Sequence, residues 1–156
     1  MNTNSPRPAL ADSSDLTDRQ ACACANLRRA TRMVTQAYDA ALRPAGLRAT
    51  QFTVLSVLAK RGQLRQSNLA EILGMDGTTL TRNLQPLLGN DWIRIDRDED
   101  QRIRLVLITK AGRGVFDDAL PRWERVQAKF VTGLGDDHWA GLLGALAATI
   151  EIAHRK

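Results

Sequence analysis

The sequence holds little that serves catalysis. Among its 156 residues are two cysteines, two histidines, one tyrosine, three phenylalanines and three tryptophans. A zinc site would have to recruit nearly all of Cys22, Cys24, His138 and His154, so neither a metal nor a cofactor is expected. A phosphate-cradling glycine loop and a serine elbow are both missing, and neither histidine lies close to a nucleophile in sequence. These absences argue against an enzyme. Long apolar runs are missing too. The longest uncharged stretch, 138–150, has 13 residues, short of the ~20 that a membrane helix requires. The first fifteen residues lack the apolar centre of a secretion signal, and two cysteines without one indicate a reducing compartment. The expected location is the cytoplasm, away from any membrane.

What is present is an ordinary globular composition, 44% hydrophobic and 25% charged, with a net charge of +5. The charge is uneven. Residues 1–65 carry ten Lys/Arg against four Asp/Glu, whereas residues 66–156 carry twelve against thirteen. A basic balance suits a polyanionic partner without identifying one.

Residues 1–16, rich in Asn, Ser, Pro and Asp, read as a mobile tail. Thr17-Asp18-Arg19-Gln20 has the pattern of a capping box, and Cys24, Leu27, Thr31, Val34, Tyr38 and Leu42 follow at helical steps. Arg43-Pro44-Ala45-Gly46 stops that helix. A second helix opens at Thr50 and is apolar nearly all round (Phe52, Val54, Leu55, Val57, Leu58), which predicts full burial. A short helix at 66–73 turns Leu69, Ile72 and Leu73 inward. Asp76 then caps a helix at 77–88 whose inner stripe is Leu80, Leu84, Leu87 and Leu88. Pro86 predicts a bend or a loosened last turn there. Alternating residues 92–96 and 103–105, around the charged segment 97–102, predict a hairpin. Thr109 caps a long helix that Pro121 should kink. A final helix starts after Gly135, with Trp139, Leu142, Leu143, Leu146, Ile150 and Ala153 on one stripe.

The fold class is therefore mainly α with a small β-hairpin wing. A winged helix-turn-helix at 47–111 is flanked by an N-terminal helix at 17–46 and C-terminal helices at 112–156. The flanking stripes are longer than the central module can cover, which predicts dimerisation through them and a homodimer. Thr78, Thr79, Thr81, Arg82 and Gln85 lie on the 77–88 helix, most of them facing outward. The wing adds Arg97, Asp100, Arg102 and Arg104. Small hydroxyls, an amide and guanidinium groups suit phosphates and base edges, so these nine residues form the candidate DNA-binding set. The same pattern also describes an ordinary solvated face, and a helical protein–protein adaptor is the alternative reading.

These elements resemble the MarR family (multiple-antibiotic-resistance regulators). The resemblance rests on Tyr38…Leu42-Arg43-Pro44-Ala45-Gly46-Leu47, Gln51-Phe52…Leu55 and Leu69-Ala70…Leu73-Gly74. It continues through Thr78-Thr79-Leu80-Thr81-Arg82-Asn83-Leu84, Asp100-Gln101-Arg102 and Leu107-Ile108-Thr109-Lys110-Ala111-Gly112. It implies a dimeric regulator, most often a repressor, that binds an inverted-repeat operator in double-stranded DNA. Arg82 matches the arginine presented to the major groove. Asp100 and Arg102 match a wing motif in which the aspartate orients an arginine entering the minor groove. Pro86 and Gln101 depart from the family pattern.

The resemblance extends to a branch that senses organic hydroperoxides, whose members carry a reactive cysteine early in the first helix and a tyrosine fourteen residues later. Cys24 and Tyr38 have that separation, while Arg28 stands where that branch has a second tyrosine. Two residues apart on an intact helix, Cys22 and Cys24 face opposite ways, so a resolving thiol would be Cys22 of the partner subunit or a small free thiol. Cys24 is then either a buried, inert thiol or an oxidant sensor. A small aromatic or carboxylate effector, with Arg28 or Arg32 as anion partner, is the other mode of release that the resemblance implies.

Overall fold

The computed structural model describes residues 22–97, 100 and 102–155. The N-terminal tail, the capping box at 17–20 and Gln101 lie outside them. The chain divides between residues 37 and 38 into two units. Helix α1 (Ala23–Leu42) begins in the first and ends in the second. In the first unit the carbonyl of Cys22 accepts from the Asn26 N–H at 3.1 Å and from its Nδ2 at 3.0 Å. Cys22 is thus the capping residue of α1, one position before the helix proper. Leu27, Met33 and Val34 are exposed in the single chain.

The second unit follows the predicted order with boundaries shifted by a residue or so. A short 3-10 turn, Arg43–Ala45, leads into α2 (Ala49–Arg61), then β1 (Leu64–Arg65), α3 (Gln66–Ile72) and α4 (Gly77–Gly89). The wing strands β2 (Ile93–Arg97) and β3 (Arg104–Ile108) precede α5 (Lys110–Leu134) and α6 (Asp136–His154). The two-residue strand β1 was not foreseen. It pairs antiparallel with β3 and turns the hairpin into a three-stranded sheet of order β1-β3-β2.

The core collects one apolar side from every element except α6. Leu42 and Leu47 join Phe52, Val54, Leu55 and Leu58 of α2, Leu69 of α3, and Leu80, Leu84 and Leu87 of α4. Ile93, Val106 and Phe116 close it from the sheet and α5. Phe52 stacks on Phe116 and Trp123, with ring centroids 5.2 and 5.7 Å apart, fastening α2 to α5. Truncating any of these leucines should cost about 2–5 kcal/mol, the range for a fully buried side chain.

Some expectations fail at the margins. Ile72 is 44% exposed rather than inward, because α3 ends there and only Leu69 and Ala70 reach the core. Val57 is half-buried, not fully buried. α4 runs through Pro86 to Gly89, and α5 through Pro121 to Leu134, so each proline lies inside a continuous helix. Cys24 is exposed in the single chain, so its place on the apolar stripe does not bury it there.

Two helix starts are built from distant parts. Asp39 Oδ1 accepts the Ala49 N–H at 2.7 Å, so α1 caps α2. Thr109 caps α5 by accepting from the Gly112 N–H at 3.0 Å, as its sequence position predicts, and its hydroxyl also donates to the Asp91 carbonyl at 2.6 Å. The Thr109 N–H donates to the Trp92 carbonyl at 3.0 Å. A Cβ on Gly112 would stand 1.9 Å from that same carbonyl oxygen. Only glycine fits there, and the obstacle is backbone that cannot rotate away. Gly112→Ala should therefore destabilise the protein by about 1–3 kcal/mol, as overpacking does. Gly114→Ala on the same helix, where a Cβ meets nothing within 4 Å, should gain up to about 1 kcal/mol. Equal denaturation midpoints for the two variants would contradict the close approach.

Candidate nucleic-acid interface

Helix α4 is set at a fixed angle by bonds at its first turn. Asp76 Oδ1 accepts the backbone N–H groups of Thr78 and Thr79, each at 2.9 Å, and the Thr79 hydroxyl donates to Oδ2 at 2.6 Å. These bonds hold the Asp76 carboxyl below its ordinary value, the Thr79 hydroxyl contributing most. Thr81 Oγ1 donates to the Gly77 carbonyl at 2.7 Å and accepts from Gln66 Nε2 at 3.2 Å, tying α4 to the start of α3. Asn83 Nδ2 reaches Met75 Sδ at 3.3 Å, fixing the turn between the two helices. Gly74 sits in that turn at φ +61°, a backbone region that disfavours side chains.

With Leu80, Leu84 and Leu87 buried, the opposite side of α4 faces solvent. Thr78, Arg82 and Gln85 are exposed on it. Thr79 is exposed as well, but its hydroxyl is engaged by the cap. Thr81 is half-buried with its hydroxyl bonded on both sides. Sequence pattern placed all five residues on the right helix. The structure divides them into three outward groups and two that position the helix.

The wing carries the cations. Register pairs Arg97 directly with Arg104 across β2 and β3. Asp100 Oδ1 accepts the backbone N–H of Arg102 at 3.0 Å, and its carbonyl accepts the Ile103 N–H at 2.8 Å. The carboxylate therefore shapes the turn that presents Arg102 by gripping its backbone. Arg94 is held by Asp96 at 3.1 Å, an exposed pair of small energetic weight. Between wing and helices lies a cleft of about 390 Å³ lined by Arg65, Gln66, Ser67, Gly77, Arg102 and Arg104, among others. Arg65, Gln66 and Ser67 were missed at the sequence level. The signal that would have found them is the two-residue strand that brings Arg65 to the wing.

The effector candidates fall in both units. Cys22, Cys24, Arg28 and Arg32 are exposed residues of the first unit. Tyr38, in the second, donates its hydroxyl to Gln127 Oε1 and stacks on Phe130 at 5.6 Å. Burial raises its pKa. Among the described residues no group of three or more His, Cys, Asp or Glu could hold a metal ion, and no helix is long and apolar enough to cross a membrane.

Two helices at a tight turn, an outward polar face on the second and a basic hairpin beside it define a winged helix-turn-helix. The MarR family pattern matches residues 47–103, which span these elements. The transcriptional regulator MosR of M. tuberculosis, solved in complex with DNA, is 36% identical, with a TM-score of 0.76 over 85% of this chain and 98% of its own. A cysteine-to-serine mutant of MarR from E. coli, solved with operator DNA, shares the fold at 22% identity and a TM-score of 0.76, over 87% of this chain and 99% of its own. The HTH-type regulator YwoH of Bacillus subtilis is 23% identical over 111 residues, 71% of this chain and 81% of YwoH. This chain belongs to the MarR family, whose members are transcriptional regulators and not enzymes.

The capping of α4 has a pH signature. A carboxyl held below its ordinary value stabilises the fold above the ordinary carboxylate range, and that contribution fades as pH falls through the lowered value. Asparagine caps without titrating. From about pH 6 to about pH 2 the parent should lose stability relative to Asp76→Asn. A stability difference that stays constant over that interval would show that the carboxylate does not cap α4.

Proposed function

We propose that this chain is a homodimeric, cytoplasmic repressor that binds an inverted-repeat operator in double-stranded DNA and is released by an effector. The observation that carries the reading is the outer face of α4. Thr78, Arg82 and Gln85 project from a helix whose opposite stripe is locked in the core, beside a wing rich in arginine. An α-helix fits the major groove, where Arg82 can make two hydrogen bonds to one guanine edge. Arg102, on the turn shaped by Asp100, reaches the adjacent minor groove. Thr79 and Thr81 hold α4 at the angle that insertion requires, and Arg97 and Arg104 supply charge to the backbone. That MosR was solved on DNA supports the assignment, given the shared identity.

The flanking helices support a second copy of the chain as partner. No residue of α6 is buried, and Leu142, Leu143, Leu146, Ile150 and Ile152 are exposed along it. Such a face is costly in water and matches the apolar side of α1. A two-fold dimer places two α4 helices about one duplex turn apart, which calls for an inverted repeat.

Release is assigned to one of two effectors. One is oxidation at Cys24, whose thiol is exposed in the single chain. A hydroperoxide would transfer oxygen to the thiolate, giving a sulfenic acid and an alcohol, with Cys22 of the other copy as resolving thiol. The other is a small aromatic or carboxylate ligand held by Arg28 or Arg32. Tyr38, bonded to Gln127 and stacked on Phe130, links α1 to α5 in either case.

Binding to the DNA upstream of its own gene, with and without cumene hydroperoxide, tests the whole proposal. Arg82→Ala should cost about 1–3 kcal/mol and relax sequence preference. Arg102→Ala should weaken binding more evenly, since the minor groove carries a degenerate code. Peroxide should release the parent but not Cys24→Ser. Parent-like binding by both arginine variants would remove α4 and the wing from the interface. Release of Cys24→Ser by peroxide, or no release of the parent, would leave the small ligand as effector.

A further inference from the structure

Pro86 serves neither the core nor the end of its helix. It lies in the third turn of α4, which runs unbroken from Gly77 to Gly89. A proline there has no N–H to give to the carbonyl of Arg82, and its ring crowds that carbonyl, a cost that helix interiors seldom bear. Packing does not explain the cost. Leu84 and Leu87 are buried, whereas Pro86 is exposed, four residues after Arg82 and so on the same outward face. Termination does not explain it either. Asn90 closes the helix, its N–H and its Nδ2 donating to the Pro86 carbonyl at 3.2 and 2.7 Å. These two bonds secure the turn that the proline loosens and hold its backbone in place. A local rule broken at an exposed position, with support built beside it, marks a functional residue. The neighbours on that face, Thr78, Arg82 and Gln85, present a hydroxyl, a guanidinium and an amide, while Pro86 presents an apolar ring. Along the major-groove edges of the base pairs, the apolar feature is the C5 methyl of thymine.

We infer that the Pro86 ring packs against a thymine methyl in the major groove, which makes Pro86 a specificity-determining residue for one position of each half-site. The inference rests on the DNA-binding reading and adds a residue to it. Pro86 lies about 6 Å further along α4 than Arg82. Its thymine therefore stands about two base pairs from the base that Arg82 contacts. A phosphate is no match for the ring, which carries no hydrogen-bond donor. A flexible apolar side chain could reach the same methyl, but it would lose rotamer freedom on docking, and proline loses none.

The test is fluorescence anisotropy with the full chain, on the duplex from upstream of its own gene and on a shuffled duplex of equal composition. Each thymine of the upstream duplex is replaced in turn by uracil, which keeps every hydrogen-bonding group and lacks the methyl. At one thymine per half-site, uracil should weaken the parent roughly fourfold, the weight of one methyl group removed from water. Pro86→Ala removes the ring beyond Cβ and returns an N–H to the helix, so it should fold at least as well as the parent. It should bind the thymine duplex more weakly, by roughly the same factor per half-site, and no longer distinguish thymine from uracil at that position. Sequence-specific binding by the parent with no thymine sensitive to uracil overturns this inference alone. So do equal uracil losses in the parent and in Pro86→Ala, which would place the methyl against another residue. A loss in Pro86→Ala that is the same on thymine, uracil and shuffled duplexes would make the proline a helix-shaping residue and overturn its role in reading. A parent that binds the upstream duplex no better than the shuffled one overturns the sequence-specific DNA-binding reading beneath it.

Discussion

The first turn of α5 rests on the carbonyl of Trp92, and the placement of α4 and the wing depends on that contact. Thr109 donates its N–H to this carbonyl, its hydroxyl holds the carbonyl of Asp91, and Gly112 leaves room for the approach. Trp92 in turn donates to the Leu87 carbonyl at the end of α4. One short segment thus joins the end of α4, the root of the wing and the start of α5. Asp91 adopts φ +56° to make the junction, a backbone region that non-glycine residues seldom use. A change at the junction would alter the angle between α4 and the wing.

The division of labour across the face follows from charge. α4 contributes a single cation, Arg82, among uncharged groups, whereas Arg97, Arg102 and Arg104 cluster on the wing. In the proposed reading, affinity governed by counterion release would belong to the wing. In that reading, discrimination between base pairs would belong to the exposed Thr78, Arg82 and Gln85. Thr79 and Thr81 share the helix with them and are spent on holding it. A change to either threonine would act through the angle of α4.

Caps and stripes made most of the fold legible from sequence. Asp76 and Thr109 are short polar residues just before apolar periodicity, and both are caps in the structure. Leu80, Leu84 and Leu87 recur at helical spacing and are fully buried or nearly so. What escaped notice had no period to betray it. Two residues, Leu64 and Arg65, are too few to alternate, so the third strand and its arginine stayed hidden. Asp39 caps α2 from ten residues upstream, a relation that only the tertiary fold creates. The resemblance implied that Asp100 orients Arg102, but its bond to the backbone of Arg102 is a matter of geometry. The stripe through Cys24 was read as inward, yet whether such a stripe is covered depends on a second copy, which no single-chain pattern contains.

In the proposed dimer two copies of α4 enter successive major grooves from one side of a duplex, held apart by helices that a single chain leaves uncovered. Hydroxyl-radical footprinting of the parent on its own upstream DNA tests this most directly. Two protected segments related by a two-fold axis, with centres about one helical turn apart, are the predicted result. A single unsymmetrical footprint, or uniform cleavage at concentrations where the protein binds, would contradict it.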